Sequence, residues 1–137
     1  MNPFCGGWAN PPLVEGDSSA YDSEKNLYEK SFESLVDIIQ SAQNKDVVVI
    51  GILFPQNPDY QNTGAYGRYG LRRSVAEQFV SRFQELEKSY SNFKFIDRNR
   101  MGNHGYPSEW FVDDDHLCVE GAKSFTATVD LILNGLE

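Results

Sequence analysis

Residues 47–54 have the sequence VVVIGILF, an apolar run without a charged side chain. Most of its side chains are β-branched, and polar and apolar residues do not alternate along it. A strand of this composition is typical of a parallel sheet that is buried on both faces. Pro55 and Pro58 follow the run and end it, because proline cannot continue a central strand. The run therefore predicts a parallel strand inside an α/β domain.

Segments on both sides of this strand repeat apolar side chains at helical spacing. Residues 1–22 come first as a loop-rich segment, and Asp22 or Ser23 is predicted to cap the first helix. In order, the predicted elements are a helix with Tyr28, Phe32, Leu35, Val36 and Ile39, the strand at 47–54, a helix with Val75, Phe79, Phe83, Leu86 and Tyr90, a strand at 93–97, and a closing helix with Ala122, Phe125, Val129 and Ile132.

This alternation of helices and strands predicts a three-layer α/β/α fold with a parallel sheet and right-handed crossovers. Two strands are too few for a sheet that is covered by helices on both faces. We therefore expect residues 1–137 to be a single but incomplete domain, with further strands on a longer polypeptide or supplied by another copy. Leu136-Glu137 at the end could be a cloning scar.

The composition excludes several classes of protein. Hydrophobic residues make up 40% of the chain and charged residues 23%, which indicates a folded protein rather than a disordered one. The net charge of −8 disfavours nucleic acid and anionic membrane surfaces as partners. No apolar run approaches the ~20 residues of a membrane span, and no signal peptide opens the chain. Cys5 and Cys118 either pair across the fold or remain free thiols. From the sequence we favour two free thiols.

The segment at 110–122, WFVDDDHLCVEGA, lies after the last predicted strand and before the last helix. Open α/β sheets bind their ligands at this carboxyl edge. Asp113 and His116 are three residues apart, so both fit within one turn. The carboxylate can then accept a hydrogen bond from the imidazole Nδ1–H, which leaves Nε2 to take a proton from a nucleophile.

The segment at 113–133, DDDHLCVEGAKSFTATVDLIL, resembles the C-terminal end of SGNH hydrolases, also called GDSL-type esterases. That family ends with an Asp-x-x-His block, a helix start of the Gly-Ala type and an amphipathic helix. The sequences VVVIGILFPQNPDY (47–60) and FKFID (93–97) resemble its strand before a proline loop and its last strand. The resemblance covers nearly the whole chain, corresponds to the second half of a family domain, and is nearest to branches that modify acyl groups on cell-surface polysaccharides.

The resemblance implies a flavodoxin-like SGNH fold and a Ser-His-Asp triad, with His116 as general base and Asp113 as the carboxylate that orients it. It also implies that Asn10 of Gly7-Trp8-Ala9-Asn10 is an oxyanion donor, because the family has its Gly-x-Asn block one helix before this strand. The serine would come from residues upstream of Met1 or be Ser18 of Gly16-Asp17-Ser18. A turn is the favoured interpretation of Ser18, because no strongly hydrophobic strand precedes it.

Each candidate residue also has a structural interpretation. Asp113 and His116 could belong to an acidic loop that caps the last helix, and a lone His104 is usually structural. A metal site is not predicted, because no second His or Glu lies at ligand spacing, and no cofactor is predicted. Five aromatic residues could form a sugar-stacking, substrate-binding surface or simply cover a core edge, namely Trp8, Trp110, Tyr60, Tyr66 and Tyr69.

Two functions follow from these residues. The first is the C-terminal part of a serine esterase or acyl hydrolase that acts on a small ester or an acylated glycan. The second is a non-catalytic binding or structural module, with the same fold, of a larger cell-envelope or secreted protein. The unpaired edge of the 47–54 strand predicts a homodimer. The pKa of His116 should be raised, because neighbouring carboxylates favour the imidazolium.

Overall fold

The computed structural model describes residues 5–6, 16–20, 22–67 and 70–135. Short helical turns lie at Asp22–Glu24, Pro58–Asn62, Arg100–Gly102 and Ser108–Trp110. Every helix and strand that the apolar spacing predicts is present, so the chain is of the α/β class. The longer elements are α1 (Lys25–Gln43), β1 (Val49–Leu53), α2 (Arg73–Ser89), β2 (Phe93–Asp97) and α3 (Val119–Asn134).

β1 and β2 form a two-stranded parallel sheet in which Val49 lies beside Phe93 and Leu53 beside Asp97. Parallel strands cannot be joined by a hairpin, and α2 provides the crossover between them. The loops after β1 and after β2 therefore leave the sheet at the same carboxyl edge. This edge carries the candidate functional residues.

The helices contact side chains from both faces of the sheet. Ile39 of α1 and Leu86 of α2 form a buried cluster with Phe93 of β2. Phe125 of α3 belongs to a second cluster, against which Ile52 of β1 packs. Burying an aliphatic or aromatic side chain of this size contributes about 1.5–3 kcal/mol relative to leaving it exposed. These clusters pack the helices against the two strands.

Arg82 links α1 to α2. Its guanidinium donates to both carboxylate oxygens of Glu29, at 3.0 and 2.8 Å, and its Cζ lies 3.8 Å from the centre of the Phe32 ring. Both charged side chains remain more than a third exposed. Solvent therefore screens the pair, and a contribution of about 0.5–1 kcal/mol is expected.

Some details of the elements differ from the sequence-based predictions. The prediction of Asp22 or Ser23 as the cap of the first helix is wrong, because both residues belong to a helical turn at Asp22–Glu24 that directly precedes α1. The N-cap residue of α1 is Glu24, which makes no side-chain cap hydrogen bond. β1 begins at Val49 rather than at residue 47, just after Asp46, whose φ of 55° is left-handed. Full burial of β1 is not reached within the described residues, because Ile50 is 38% exposed.

Cys5 and Cys118 form a disulfide whose Cα atoms lie 5.1 Å apart. The favoured interpretation of two free thiols is therefore wrong, because the fold brings together residues that are 113 positions apart. Cys118 occupies the N-cap position of α3, so the bond attaches the segment around Cys5 to the start of this helix. In the chain-entropy model a cross-link that closes a loop of this length contributes about 4–5 kcal/mol.

A membrane span is not found within the described residues: none of their helices is both long and apolar enough to cross a bilayer.

Candidate functional site

A tight loop between β2 and α3 carries Asp113 and His116. An antiparallel bridge between Phe111 and Leu117 joins its two ends, and the Val112 N–H donates to the His116 carbonyl oxygen at 2.8 Å. Phe111 is fully buried in the cluster that contains Phe125. The bridge and this anchor fix the loop on the core, and the side chains of Asp115 and His116 at its tip are exposed.

The carboxylate of Asp113 organises the tip of this loop. Its Oδ1 accepts the backbone N–H groups of Asp115, at 3.2 Å, and of His116, at 2.9 Å. Aspartate commonly forms such a turn with the backbone two residues further on. The turn brings the imidazole back to the same carboxylate, so that His116 Nδ1 lies 2.8 Å from Asp113 Oδ1 and 2.9 Å from Oδ2. With Nδ1–H as the donor, Nε2 is left as the basic nitrogen.

The charges around His116 shift the pKa of both partners. The pKa of the imidazole is raised, first by the hydrogen bond with Asp113, then by the charge of Asp113 and that of Asp115. Asp115 Oδ1 lies 3.1 Å from the same Nδ1. Burial tends to raise the pKa of Asp113, but the hydrogen bonds from Asp115 and His116 outweigh it and lower that pKa. The imidazole is thus a stronger base than an isolated histidine.

A cleft of about 810 Å³ opens beside this pair. Asp113, Asp115 and His116 lie at its polar end, and its remaining lining is mostly apolar. Phe54 and Phe125 stack within it, with ring centres 4.7 Å apart. His116 is accessible from the cleft, because 71% of its side chain is exposed. A substrate could therefore reach Nε2 and place an apolar group against the aromatic pair.

The loop after β1 supports the loop of the Asp-His pair. The Asn57 N–H donates to the Asp114 carbonyl oxygen at 2.8 Å. The Asn57 Oδ1 accepts the Asp59 N–H at 3.1 Å and the Ser108 hydroxyl at 3.2 Å. Asn57 and Asp114 are both buried. Because these contacts join the two loops at the carboxyl edge, they restrict movement of the turn that holds His116.

Ser18 lies in a segment that contacts the start of α2. Asp17 accepts the Ser74 N–H at 2.9 Å and also its hydroxyl, and the hydroxyl of Ser19 donates to the Gly70 carbonyl oxygen. Asp17 therefore satisfies a backbone donor in the first turn of this helix. Ser18 is not among the described residues that line the cleft beside His116. The segment at residues 16–20 therefore lies against the start of α2, with bends at Gly16 and Asp17.

The three aromatic candidates that the structure describes, Tyr60, Tyr66 and Trp110, lie in different surroundings. Trp8, Asn10 and Tyr69 lie outside the described residues. Tyr60 is buried, and half-buried Tyr66 packs against the core cluster around Phe79.

Trp110 packs against Tyr106, with ring centres 6.4 Å apart, and does not line the cleft. A Cβ at Gly121 would lie 2.6 Å from the Trp110 carbonyl oxygen, so glycine lets the first turn of α3 approach this loop.

His104 is held as a neutral structural residue. Its Nε2 lies 2.7 Å from the carbonyl oxygen of Gln56, and its Nδ1 lies 3.2 Å from the N–H of Tyr106. Donation to the carbonyl and acceptance from the amide fix a single neutral tautomer. Burial lowers the pKa of His104, and the charges of Arg98 and Arg100 lower it further. The pKa values of the two histidines of the chain, His104 and His116, are therefore shifted in opposite directions.

A metal ion could be held by Asp113, Asp115 and His116, because one donor atom from each lies within 4.8 Å of the others. Two carboxylates and one imidazole nitrogen suit a hard or intermediate divalent cation. That arrangement would use His116 Nδ1 or require the ring to turn. In the geometry seen here Nδ1 is engaged by Asp113, which fits an acid–base pair better than a metal ligand.

No protein-family model, curated protein or solved structure matches this chain. The family resemblance therefore rests on the residues quoted from the sequence.

Two parts of the site were not found from the sequence. One is Asn57, which connects the loops, and the other is the aromatic pair of Phe54 and Phe125. Asn57 follows Pro55 in the loop after β1, and a polar residue at a carboxyl edge was the available signal. The pair had no such signal, because Phe54 and Phe125 are far apart in sequence and appeared only as members of two apolar patterns.

Proposed function

We propose that this chain carries the acid–histidine half of an SGNH-type serine hydrolase. In this proposal it is part of a three-layer α/β/α domain that removes or transfers an acyl group from a small ester or an acylated glycan. His116 is the general base, and Asp113 orients it and stabilises the imidazolium. No cofactor takes part.

The observation that carries the proposal is the contact between His116 Nδ1 and both oxygens of Asp113, at 2.8 and 2.9 Å, with the ring exposed at the mouth of a cleft. A histidine that serves only as a helix cap or core hydrogen-bonder does not need an accessible Nε2. The nearby His104 illustrates that case, because both of its nitrogens are engaged by backbone groups.

The fold supports the same proposal. The pair follows the second of two parallel strands, at the edge where open α/β sheets bind ligands. Helices contact side chains of both faces of the sheet, as a three-layer domain requires. The disulfide between Cys5 and Cys118 favours an oxidising compartment, which agrees with a secreted or cell-envelope protein.

The reaction proceeds by acyl transfer through a serine. The serine oxygen attacks the ester carbonyl while its proton passes to His116 Nε2, and Asp113 keeps the proton on Nδ1. The C–O bond of the ester breaks, and the departing alcohol takes the proton from Nε2. Water then repeats these steps on the acyl-enzyme and releases the acid. General-base catalysis of this kind contributes roughly 10²–10⁴ in rate.

Either Ser18 or a serine on a longer polypeptide supplies the nucleophile. No serine is among the described residues that line the cleft, which favours the second source. A fluorophosphonate probe separates the two, because it forms a covalent bond with an activated serine and mass spectrometry then identifies the labelled peptide. Labelling of Ser18 in this chain would assign the role to Ser18.

The proposal is tested by hydrolysis of p-nitrophenyl acetate by the longest natural polypeptide that contains this chain. His116→Ala should abolish turnover, whereas Glu109→Gln, an exposed acid in the preceding turn, should leave it unchanged. Because the pKa of His116 is raised, the rate should rise with pH and reach half its maximum above about pH 6.5. Full turnover in the His116→Ala variant would refute the proposal.

A non-catalytic binding module is the second candidate, and the lack of a serine along the described cleft lining favours it. In that case neither this chain nor the longer polypeptide would be labelled by the fluorophosphonate probe. Both would still be retained by an acylated glycan. Substitution of Phe54 by serine should then weaken retention, because it removes the aromatic pair from the cleft.

A further inference from the structure

One edge of β1 has no neighbouring strand within the described residues. The Val49 N–H donates to the Asn92 carbonyl oxygen at 2.8 Å, and the Leu53 carbonyl oxygen accepts the Arg98 N–H at 3.0 Å. Successive residues of a strand direct their backbone groups to opposite sides. Ile50 and Ile52 therefore direct their N–H and C=O groups away from β2, toward this open edge.

Apolar side chains also lie along this edge, and three of them are exposed, whereas Ile52 is half-buried against the core. Val48, Ile50, Ile52 and Phe54 alternate along the chain and so lie on one face. Val48 and Phe54 are each 57% exposed and Ile50 is 38% exposed. Natural edge strands are usually protected by a lysine, a proline or a bulge. The sequence VVVIGILF at 47–54 contains no charge and no proline.

We propose that this edge binds β1 of a second copy of the chain, in antiparallel orientation, around a two-fold axis at Gly51. Ile50 then forms hydrogen-bonded pairs with Ile52 of the second copy, and Val48 with its Phe54. The result is a four-stranded sheet in the order β2-β1-β1-β2. The interface is isologous, as in most symmetric dimers.

The register follows from the sequence on either side of β1. A two-fold axis at Gly51 pairs every open residue from Val48 to Phe54 with another apolar residue. Moving the axis by one residue toward the N-terminus would place Asp46 opposite Phe54, and moving it the other way would place Val48 opposite Gln56. Glycine also suits the axis, because residues that face each other without hydrogen bonds approach most closely.

Charge favours this edge as the contact between copies. Each chain carries a net charge of −8, so two copies repel wherever acidic surfaces meet. The paired residues are all uncharged, and dimerisation through them brings no like charges into the pairing. The inference concerns the 137-residue chain by itself. In a longer polypeptide that supplies the further strands of the proposed domain, those strands compete with the second copy for the same edge of β1.

The first test is sedimentation velocity of the full chain over a wide range of concentrations. The wild type should dimerise, and Ile50→Lys should raise the dimer dissociation constant by at least about tenfold, because it places a charge in the pairing. Gln84→Lys on the exposed side of α2 adds the same charge away from the edge and should leave dimerisation unchanged. A wild type that stays monomeric, with the edge free or covered by another segment, would overturn the proposal.

The second test is amide hydrogen exchange of the wild type, which does not depend on a variant that folds. The amides of Ile50 and Ile52 should become protected as the concentration rises, whereas those of Gly51 and Leu53, which face β2, should be protected throughout. A dimer in which the Ile50 and Ile52 amides exchange as fast as in the monomer would place the contact elsewhere and contradict the proposal.

Discussion

At the scale of single residues, the surroundings of the two histidines shift their pKa values in opposite directions. His116 is exposed and its pKa is raised, first by its hydrogen bond to Asp113. His104 is half-buried and its pKa is lowered, mainly by burial. The sequence predicted the first from the spacing of an acid and a histidine. The partners of the second are backbone groups, which sequence spacing does not indicate.

Replacement of His104 by glutamine should reduce the loss of stability on acidification. The pKa of His104 is lowered in the folded state, so neutral His104 contributes its full share to the free energy of unfolding above about pH 6.5. This contribution is lost as the pH falls through the folded-state pKa. Urea unfolding of the wild type and His104→Gln at about pH 8 and about pH 5 checks this. His116 titrates in both proteins, so its effect on the free energy of unfolding cancels when the two are compared. Equal losses in the two proteins would contradict the account.

At the scale of elements, apolar spacing predicted the helices and strands well, and β2 was predicted with its correct bounds at 93–97. Burial of one face determines this spacing, so it can be recognised without coordinates. The start of α1 was predicted wrongly, because a helical turn before Lys25 displaces the expected cap. The residue at which a helix begins depends on local contacts that a periodic sequence pattern does not indicate.

Substitution of Gly64 by alanine should displace the segment that contains Ser18. A Cβ at Gly64 would lie 1.3 Å from the Gly16 carbonyl oxygen, so the two segments must separate and the contact of Asp17 with Ser74 is lost. A cost of about 1–3 kcal/mol in the free energy of unfolding is expected. Chemical denaturation measures it.

Gly105→Ala is the matched control, because a Cβ at Gly105 meets no atom within 4 Å. Equal stability of the Gly64 and Gly105 variants would show that the segment around Gly16 does not pack against Gly64.

At the scale of the whole molecule, the disulfide is the feature that the sequence predicted least. Cys5 and Cys118 are separated by 113 positions, and nothing in their spacing indicates that they meet. The cleft beside His116 has the same origin, because Phe54 and Phe125 come from different elements. The sequence thus predicted the pair of Asp113 and His116, whereas the apolar wall of the cleft and the disulfide depend on the tertiary fold.

The oxidised chain should contain no thiol that reacts with Ellman's reagent under denaturing conditions without reductant, because both cysteines are in the disulfide. Reduction should lower the free energy of unfolding by about 2–5 kcal/mol. A Cys5→Ser, Cys118→Ser double variant controls for the reductant and should match the reduced wild type. Two reactive thiols in the oxidised chain would contradict the fold at this point.

The most direct test of the account is an NMR titration of the His116 ring in the wild type and in Asp113→Asn. We predict a pKa above the ordinary value of about 6.5 in the wild type, a shift back toward it in the variant, and a proton on Nδ1 in the neutral ring. A pKa that is lowered, or that does not change when Asp113 loses its charge, would contradict the pairing of these two side chains.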